Sequence, residues 1–252
     1  MNLTILKFYT VLLIFLTLSC KKKKDETPAP VNNATTTTGG NTGGTYSGTF
    51  NAEKYISWFN GISSLVSYLP KVCLTATPQP ETALFVFGSN FGIVKSNNIQ
   101  LKFNSAIKIY MDSTGAISYS NQINFEHNSP TFGNINFTNT DTFPRYTPAL
   151  ALQVQDTVRK NQNYLVPLTN LSYFNTVTAN LYNPLNPGVY AAKTASVGAA
   201  NITFVPTDLS VLPANTFYVL RLVLKKYNDQ TINSKLFRFE NDSYNDFPVY
   251  IK

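Results

Sequence analysis

Between residues 46 and 252, short stretches of alternating apolar and polar residues recur about every 8–15 residues. One example places five apolar residues on a single face, with Asn104–Ser105 as a turn: Ile99, Leu101, Phe103, Ile107 and Ile109. A period of two is the period of a β-strand, and turn formers such as 112–115 separate the stretches. The pattern predicts an all-β protein of antiparallel strands, with a long strand from about 216 to 226.

The composition of this region favours the same fold. Tyr, Phe, Thr, Val, Ile and Asn are abundant, whereas Glu, Lys and Ala are scarce. Fifteen basic and eleven acidic residues lie here without a basic stripe, so no nucleic-acid partner is predicted.

A proline-containing segment, DTFPRYTPAL (141–150), indicates a boundary within the region. The length suits one large or two small domains. We therefore expect two antiparallel β-sandwich domains, the first over 46–147 and the second over 148–252.

The second half resembles immunoglobulin and fibronectin type III sandwiches. Fibronectin modules carry Leu-x-Pro and then an aromatic residue four positions after the proline, which opens a strand as a tyrosine corner. Here Pro213 is followed by Phe217 at that offset and by Tyr218 one residue later. The resemblance implies an immunoglobulin-like fold for 148–252.

An apolar segment near the start of the sequence, Phe8–Leu18, ends just before Ser19 and Cys20. A membrane-spanning helix needs about 20 apolar residues, so this segment is short for a span and suited to a signal peptide. We expect a cleaved signal over 1–19. The alternative is an uncleaved signal anchor.

The residues around Cys20 resemble the lipobox of bacterial lipoproteins, in the relaxed form found in the Bacteroidetes. Ser19 and Cys20 fit that pattern, while Thr17 and Leu18 depart from it. The resemblance implies that the Cys20 thiol carries a diacylglycerol and becomes the mature N-terminus. Several acyl chains together would anchor the protein stably to a membrane.

Four lysines and two acidic residues follow the cysteine. The triplet Lys24, Asp25 and Glu26 resembles the signal that sends Bacteroidetes lipoproteins to the outer face of the outer membrane. The alternative is a solvated charge run near anionic headgroups. The remainder of 20–45 is rich in Thr, Asn, Gly and Pro, which predicts a flexible tether.

Acidic residues in the folded region are scattered, except for Glu240, Asp242 and Asp246 in the stretch ENDSYND. Their oxygens are compatible with calcium, but the stretch lacks a complete calcium-loop signature. We expect a hydrated turn between the last two strands and predict no metal.

Two further residue types bear on catalysis. His127 is the single histidine, and the chain has no G-x-S-x-G elbow, so we expect a histidine at the surface end of a strand. Cys73 lies among alternating apolar residues, which predicts a buried, unreactive thiol. No zinc spacing, Walker loop or dinucleotide fingerprint is present, and no cofactor is predicted.

The aromatic residues suggest a binding function. The chain has fifteen tyrosines and a single tryptophan, Trp58. Planar rings exposed on a β-surface stack against sugars, and Trp58 is the candidate platform; the alternative is a core position.

We expect a non-catalytic lipoprotein of the outer membrane, facing the exterior, that binds or positions a polysaccharide or an envelope protein. The alternatives are glycan capture beside a polysaccharide transporter, a β-sandwich hydrolase, and a passive structural module. Exposed coplanar aromatic residues on one sandwich face would favour glycan capture. A hydrolase would require two facing carboxylates, or a carboxylate near His127.

Overall fold

The computed structural model describes residues 45–80, 83–118, 122–139, 143–169, 171 and 174–252. The predicted signal peptide, most of the tether, the lipidation residue Cys20 and the triplet Lys24, Asp25 and Glu26 lie outside the described residues.

The described residues are mainly β-strands, which confirms the predicted all-β fold. The strands are β1 (Thr45–Phe59), β2 (Ile62–Pro80), β3 (Val94–Ser96), β4 (Ile99–Asn104), β5 (Ile109–Met111), β6 (Ile123–Ser129), β7 (Gly133–Asn139), β8 (Thr157–Val158), β9 (Tyr164–Pro167), β10 (Thr176–Asn183), β11 (Asn186–Ser196), β12 (Asn201–Phe204), β13 (Thr216–Ile232) and β14 (Lys235–Ile251). Three single-turn helices connect them: α1 (Leu84–Phe87), α2 (Pro148–Ala151) and α3 (Pro206–Leu209). Among the described residues, no helix is long and apolar enough to cross a membrane.

Twelve of the strands form one sheet. The order along its main path is β11-β10-β13-β14-β1-β2-β5-β4-β3-β6-β7, and β8 pairs separately with β14. Strands β9 and β12 form a second, two-stranded sheet.

The centre of the large sheet contains a parallel pair, which departs from the antiparallel arrangement that we expected. Residues 48–57 of β1 run parallel to residues 237–246 of β14. A parallel pair cannot be closed by a short hairpin and requires a long connection. Here nearly the whole described chain is that connection, so local sequence carries no signal for the pairing.

Asparagine-containing turns close three of the hairpins. The turn residues are Asn60–Gly61, Asn97–Asn98 and Asn233–Ser234, and all six have positive φ. Two consecutive residues in this conformation match the twist of a two-residue hairpin, and Asn and Gly tolerate it best. At Gly61 an added Cβ would also lie 2.7 Å from the Leu152 side chain.

Two hydrophobic cores pack against the same face of the large sheet. The first core contains four interacting phenylalanines, Phe50, Phe125, Phe237 and Phe239, together with residues of β2 to β7. The second core contains Leu220, Leu222 and Leu224 of β13, together with residues of β9, β10, β12 and the end of β14.

The chain passes from the first core to the second close to the predicted boundary at 147/148. Phe143 packs in the first core, and Tyr146 packs in the second. However, β1 and β14 contribute to both cores, with Phe239 in the first and Phe247 in the second. The two units are therefore joined by shared strands rather than by a linker.

The residues of the expected tyrosine corner occupy opposite faces of β13. Tyr218 is buried in the second core, and its hydroxyl has no hydrogen-bond partner within the described part of the chain. Phe217 points to the other face and is 64% exposed. Neither residue makes the hydroxyl-to-backbone bond of a tyrosine corner.

Because the cores share β1 and β14, we predict that Phe239→Ala destabilises both together. Removing this buried ring should lower the free energy of unfolding by about 3–5 kcal/mol. Trp58 lies in the other core, so its fluorescence reports unfolding at a distance from the substitution. In a denaturant titration, the Trp58 transition and the circular dichroism transition should shift by the same amount.

The matched control is Leu165→Ala, at an exposed position of β9. The free energy of unfolding that each signal reports for this variant should stay within about 0.5 kcal/mol of the wild-type value. A Trp58 transition that stays at the wild-type denaturant concentration in Phe239→Ala would show that the cores unfold independently.

Candidate functional site

The face of the large sheet opposite the cores carries tyrosines and charged residues. Residues of β13 alternate between core leucines and outward side chains, so Phe217, Val219 and Arg221 lie on this outer face. The ladders align Arg221 with Asn180 of β10 and Asp246 of β14. The residues of β1, β10, β11, β13 and β14 that point away from the cores form a surface that we call the outer face. They include Tyr55, Asn180, Tyr182, Tyr190, Phe217, Arg221, Tyr244, Asp246 and Tyr250.

Arg221 and Asp246 form a two-pronged ion pair at the centre of the outer face. Arg221 Nε donates to Asp246 Oδ1 and Nη2 donates to Oδ2, both at 2.7 Å. The Asp246 charge and hydrogen bonds raise the pKa of Arg221 although burial acts to lower it. The other terminal nitrogen, Nη1, makes no hydrogen bond within the described residues.

Three tyrosine rings surround the Arg221 guanidinium. Its central carbon lies 5.1 Å from the ring centre of Tyr182 and 5.7 Å from those of Tyr55 and Tyr244. Such cation–π contacts orient both the arginine and the rings. Burial raises the pKa of Tyr182 to about 12, so its hydroxyl stays protonated at neutral pH and can donate a hydrogen bond.

A shallow groove of about 210 Å³ opens beside this cluster. Its lining consists of Asn180, Tyr182, Pro187, Tyr190 and Arg221. Tyr190 is 53% exposed, whereas the side chain of Arg221 is 26% exposed. The groove thus combines an open aromatic ring with an amide and a partly exposed guanidinium.

A buried carboxylate on the same face of the sheet holds two of these tyrosines. Tyr55 and Tyr244 stack with ring centres 4.4 Å apart, and their hydroxyls donate to the two oxygens of Glu53 at 2.7 and 3.2 Å. Lys71 of β2 forms an ion pair with the same carboxylate. Glu53 therefore fixes the stacked pair that flanks Arg221.

Next to Glu53, two acidic residues of β14 share one amide. Asn51 Nδ2 donates to Glu240 Oε2 and to Asp242 Oδ2, both at 3.1 Å, and Lys225 lies within 3.7 Å of both carboxylates. Glu240 is 3% exposed and Asp242 is 0% exposed. The hydrated turn that we expected at these residues is therefore wrong, because both lie inside a central strand.

Burial and the neighbouring charge of Glu240 raise the pKa of Asp242 to about 8. Its Oδ1 has no hydrogen-bond partner within the described residues. The described residues contain no group of three or more histidine, cysteine or acidic residues placed to hold a metal ion. Lys225 and the Asn51 amide lie beside the carboxylates of Glu240 and Asp242.

Trp58 lies in the second core rather than on a surface. It is 3% exposed, its ring lies parallel to Phe247 with ring centres 6.0 Å apart, and Nε1 donates to Asn245 Oδ1 at 2.9 Å. Its faces are covered, so Trp58 does not supply the sugar-stacking surface that we considered. Exposed rings are found instead on the outer face.

His127 is buried in β6, so the expected surface position is wrong. Nδ1 bonds to the Ile93 carbonyl oxygen at 2.9 Å, and Nε2 is 2.9 Å from Ser129 Oγ. The Ser129 hydroxyl is buried against Phe132 N, which donates to it at 3.3 Å. A backbone carbonyl thus occupies the place that a carboxylate takes in a Ser-His-Asp triad.

Cys73 is fully buried, as predicted, and its thiol donates to the Leu84 carbonyl oxygen at 3.2 Å. Burial raises the pKa of this thiol to about 12. Since the thiolate is the reactive form, the prediction of an unreactive cysteine is consistent with this environment.

Comparison of the chain with protein-family models, with curated proteins and with solved structures finds no match.

Sequence reasoning did not locate the groove. Its residues come from β10, β11 and β13, and only the ladders show that they are neighbours. One available signal was alternation: Leu220 and Leu222 predict that Arg221 points away from the core. The partner of Arg221 lies 25 positions away in β14, and no local pattern indicates it.

The raised pKa of Asp242 predicts the pH dependence of stability. Between about pH 4 and pH 8 the folded chain keeps a proton that the unfolded chain releases, so stability should fall as the pH rises through this window. Asp242→Asn keeps an acceptor for Asn51 and removes the titration. The free energy of unfolding, measured by denaturant titration at pH 5, 6.5 and 8, should decline less steeply in this variant than in the wild type.

Asp112→Asn is the matched control. Although burial acts to raise the pKa of Asp112, hydrogen bonds from Thr114 and from three backbone N–H groups lower it, so it is ionised throughout this range in both states. If the free energy of unfolding declines equally with pH in the wild type and in Asp242→Asn, the raised pKa of Asp242 is contradicted.

Proposed function

We propose that this protein is a non-catalytic, lipid-anchored binding module of the outer cell surface that captures a glycan through its outer face. The observation that carries the proposal is the groove in which the exposed Tyr190 ring lies beside Tyr182, Asn180 and the Arg221–Asp246 pair. The anchor and its orientation rest on the sequence around Cys20 and on the triplet Lys24, Asp25 and Glu26.

The chemistry of the groove suits a carbohydrate. A sugar ring presents an apolar face and a polar rim, which match the exposed tyrosine ring and the amide and guanidinium groups beside it. Arg221 Nη1 offers donors, and the carbonyl oxygen of the Asn180 amide offers an acceptor. Both kinds of hydrogen-bonding group are needed for hydroxyls, which donate and accept.

Two rivals are less well supported. A hydrolase would need a pair of accessible carboxylates, but Glu240 and Asp242 are buried around the Asn51 amide. A passive structural module would not need the open groove that lies beside the arginine and its three tyrosines.

The anchor predicts that the full chain incorporates labelled palmitate when it is expressed in a Gram-negative host and fractionates with the outer membrane. Cys20→Ser should abolish labelling and release the protein from the membrane fraction, because the acyl acceptor is lost. Cys73→Ser is the matched control and should retain the label. An unlabelled wild-type chain, or label that persists in Cys20→Ser, would contradict the anchor.

The groove predicts a specific hit when the purified protein is screened against a glycan and polysaccharide panel. Tyr190→Ala should weaken binding to that glycan about tenfold, a loss of about 1.4 kcal/mol, because it removes the exposed ring. Leu165→Ala, which removes a similarly exposed side chain from β9, should bind as the wild type does.

Isothermal titration calorimetry of the wild type, Tyr190→Ala and Leu165→Ala with that glycan measures the three affinities. Absence of any hit for the wild type, or a hit that Tyr190→Ala leaves unchanged, would contradict glycan capture at this groove.

A further inference from the structure

We propose that the ligand is a neutral, linear polysaccharide that runs across strands β11, β10, β13 and β14 and stacks on a second aromatic platform formed by Phe217 and Tyr250. This inference rests on the proposed function and adds the ligand class and a second subsite. The second platform lies outside the lining of the groove.

The ladders place the two platforms on the same surface. Tyr190 is aligned with Tyr182, and Tyr182 is aligned with Val219 of β13. Phe217 lies two residues from Val219 along β13 and therefore points to the same face. Its partner across the ladder is Tyr250, and the two rings meet edge to face with centres 4.9 Å apart.

Phe217 is available to a ligand. It is 64% exposed although it adjoins the buried Tyr218. Exposed aromatic rings are the usual anchors of binding surfaces because they offer a large contact area with few rotatable bonds. The Phe217–Tyr250 pair holds the ring in place and leaves most of it uncovered.

The spacing of the platforms favours a chain over a single sugar. Tyr190 and Phe217 lie two strands apart in the sheet, because β10 runs between β11 and β13, and they are offset by two residues along the strand direction. These spacings separate their Cα atoms by about 12 Å. This distance exceeds the separation of adjacent ring centres in a two-unit fragment, so only a longer chain stacks on both platforms. The groove itself, at about 210 Å³, is smaller than the 300–1,000 Å³ typical of enclosing ligand pockets.

Charge pairing favours a neutral polymer. The Arg221 charge is matched by Asp246 through two 2.7 Å hydrogen bonds, and the other groove residues are uncharged. An acidic polymer would have to approach the Asp246 carboxylate or break this pair. The hydroxyls of a neutral sugar can form hydrogen bonds with the remaining Arg221 donors and with the Asn180 amide, and the Arg221–Asp246 pair stays intact.

An extended proline-rich peptide is the competing occupant, since such peptides also dock in aromatic grooves. Those grooves hold prolines between apolar walls, whereas Arg221 and Asn180 make the lining of this groove polar. The glycan is therefore the better match.

The test is a titration of the full chain, purified in detergent, with neutral oligosaccharides of two and six units from β-glucan, α-glucan, xylan and mannan. The six-unit chain of one series should bind at least tenfold more tightly than its two-unit fragment. Phe217→Ala should remove most of this gain while leaving two-unit binding unchanged, whereas Tyr190→Ala should weaken both. Leu165→Ala should alter neither.

Asp246→Asn provides the charge test, because it leaves Arg221 with an unbalanced charge. Binding of polygalacturonate oligomers should be weak in the wild type and tighter in this variant. Tighter binding of the acidic oligomer than of every neutral chain by the wild type would overturn neutrality.

The outcomes separate the two proposals. If the wild type binds no oligosaccharide, or if a proline-rich peptide alone binds in a manner sensitive to Tyr190→Ala, the proposed function and this inference both fail. If Tyr190→Ala weakens binding but Phe217→Ala leaves the six-unit gain intact, only the second subsite fails.

Discussion

The parallel ladder between β1 and β14 is the constraint on which the rest of the structure depends. It aligns Asn51 with Glu240, Glu53 with Asp242 and Tyr55 with Tyr244. These pairs build the buried polar cluster and the stacked rings beside Arg221. The same ladder aligns Phe50 with Phe239 and so closes the first core on the opposite face. One register thus sets both the stability and the binding surface.

Buried polar groups explain why this register is specific. A shift of one residue would turn Glu240 and Asp242 into the hydrophobic cores and Phe239 outward, because side chains alternate along a strand. Isolated buried carboxylates are costly, whereas in the observed β1–β14 alignment the Asn51 amide bonds to both Glu240 and Asp242. Lys71 and Lys225 reach the same acidic cluster from the neighbouring strands β2 and β13. The cluster then holds Tyr55 and Tyr244 through Glu53, so polar burial in the sheet organises the outer face.

Local features of the fold were predictable, and long-range features were not. Alternation identified the strands, as in Ile99–Asn104, and showed a long strand that in fact extends from Thr216 to Ile232. Exposure was harder to infer, since ENDSYND has the composition of a turn but forms part of a strand flanked on both sides. Phe217 and Tyr218 show the same limit, because only the placement of the core decides which of two adjacent rings is outward. The groove required the pairing of three strands, β10, β11 and β13, which no single segment encodes.

The most direct test of glycan capture at the outer face is an NMR titration of the full chain, carrying ring-labelled tyrosine, with the oligosaccharide that binds. The account predicts that the ring signals of Tyr182 and Tyr190 shift in proportion to the bound fraction, while those of the buried Tyr46 and Tyr164 stay fixed. Saturable binding with no change at Tyr182 and Tyr190 would place the ligand elsewhere and contradict the account.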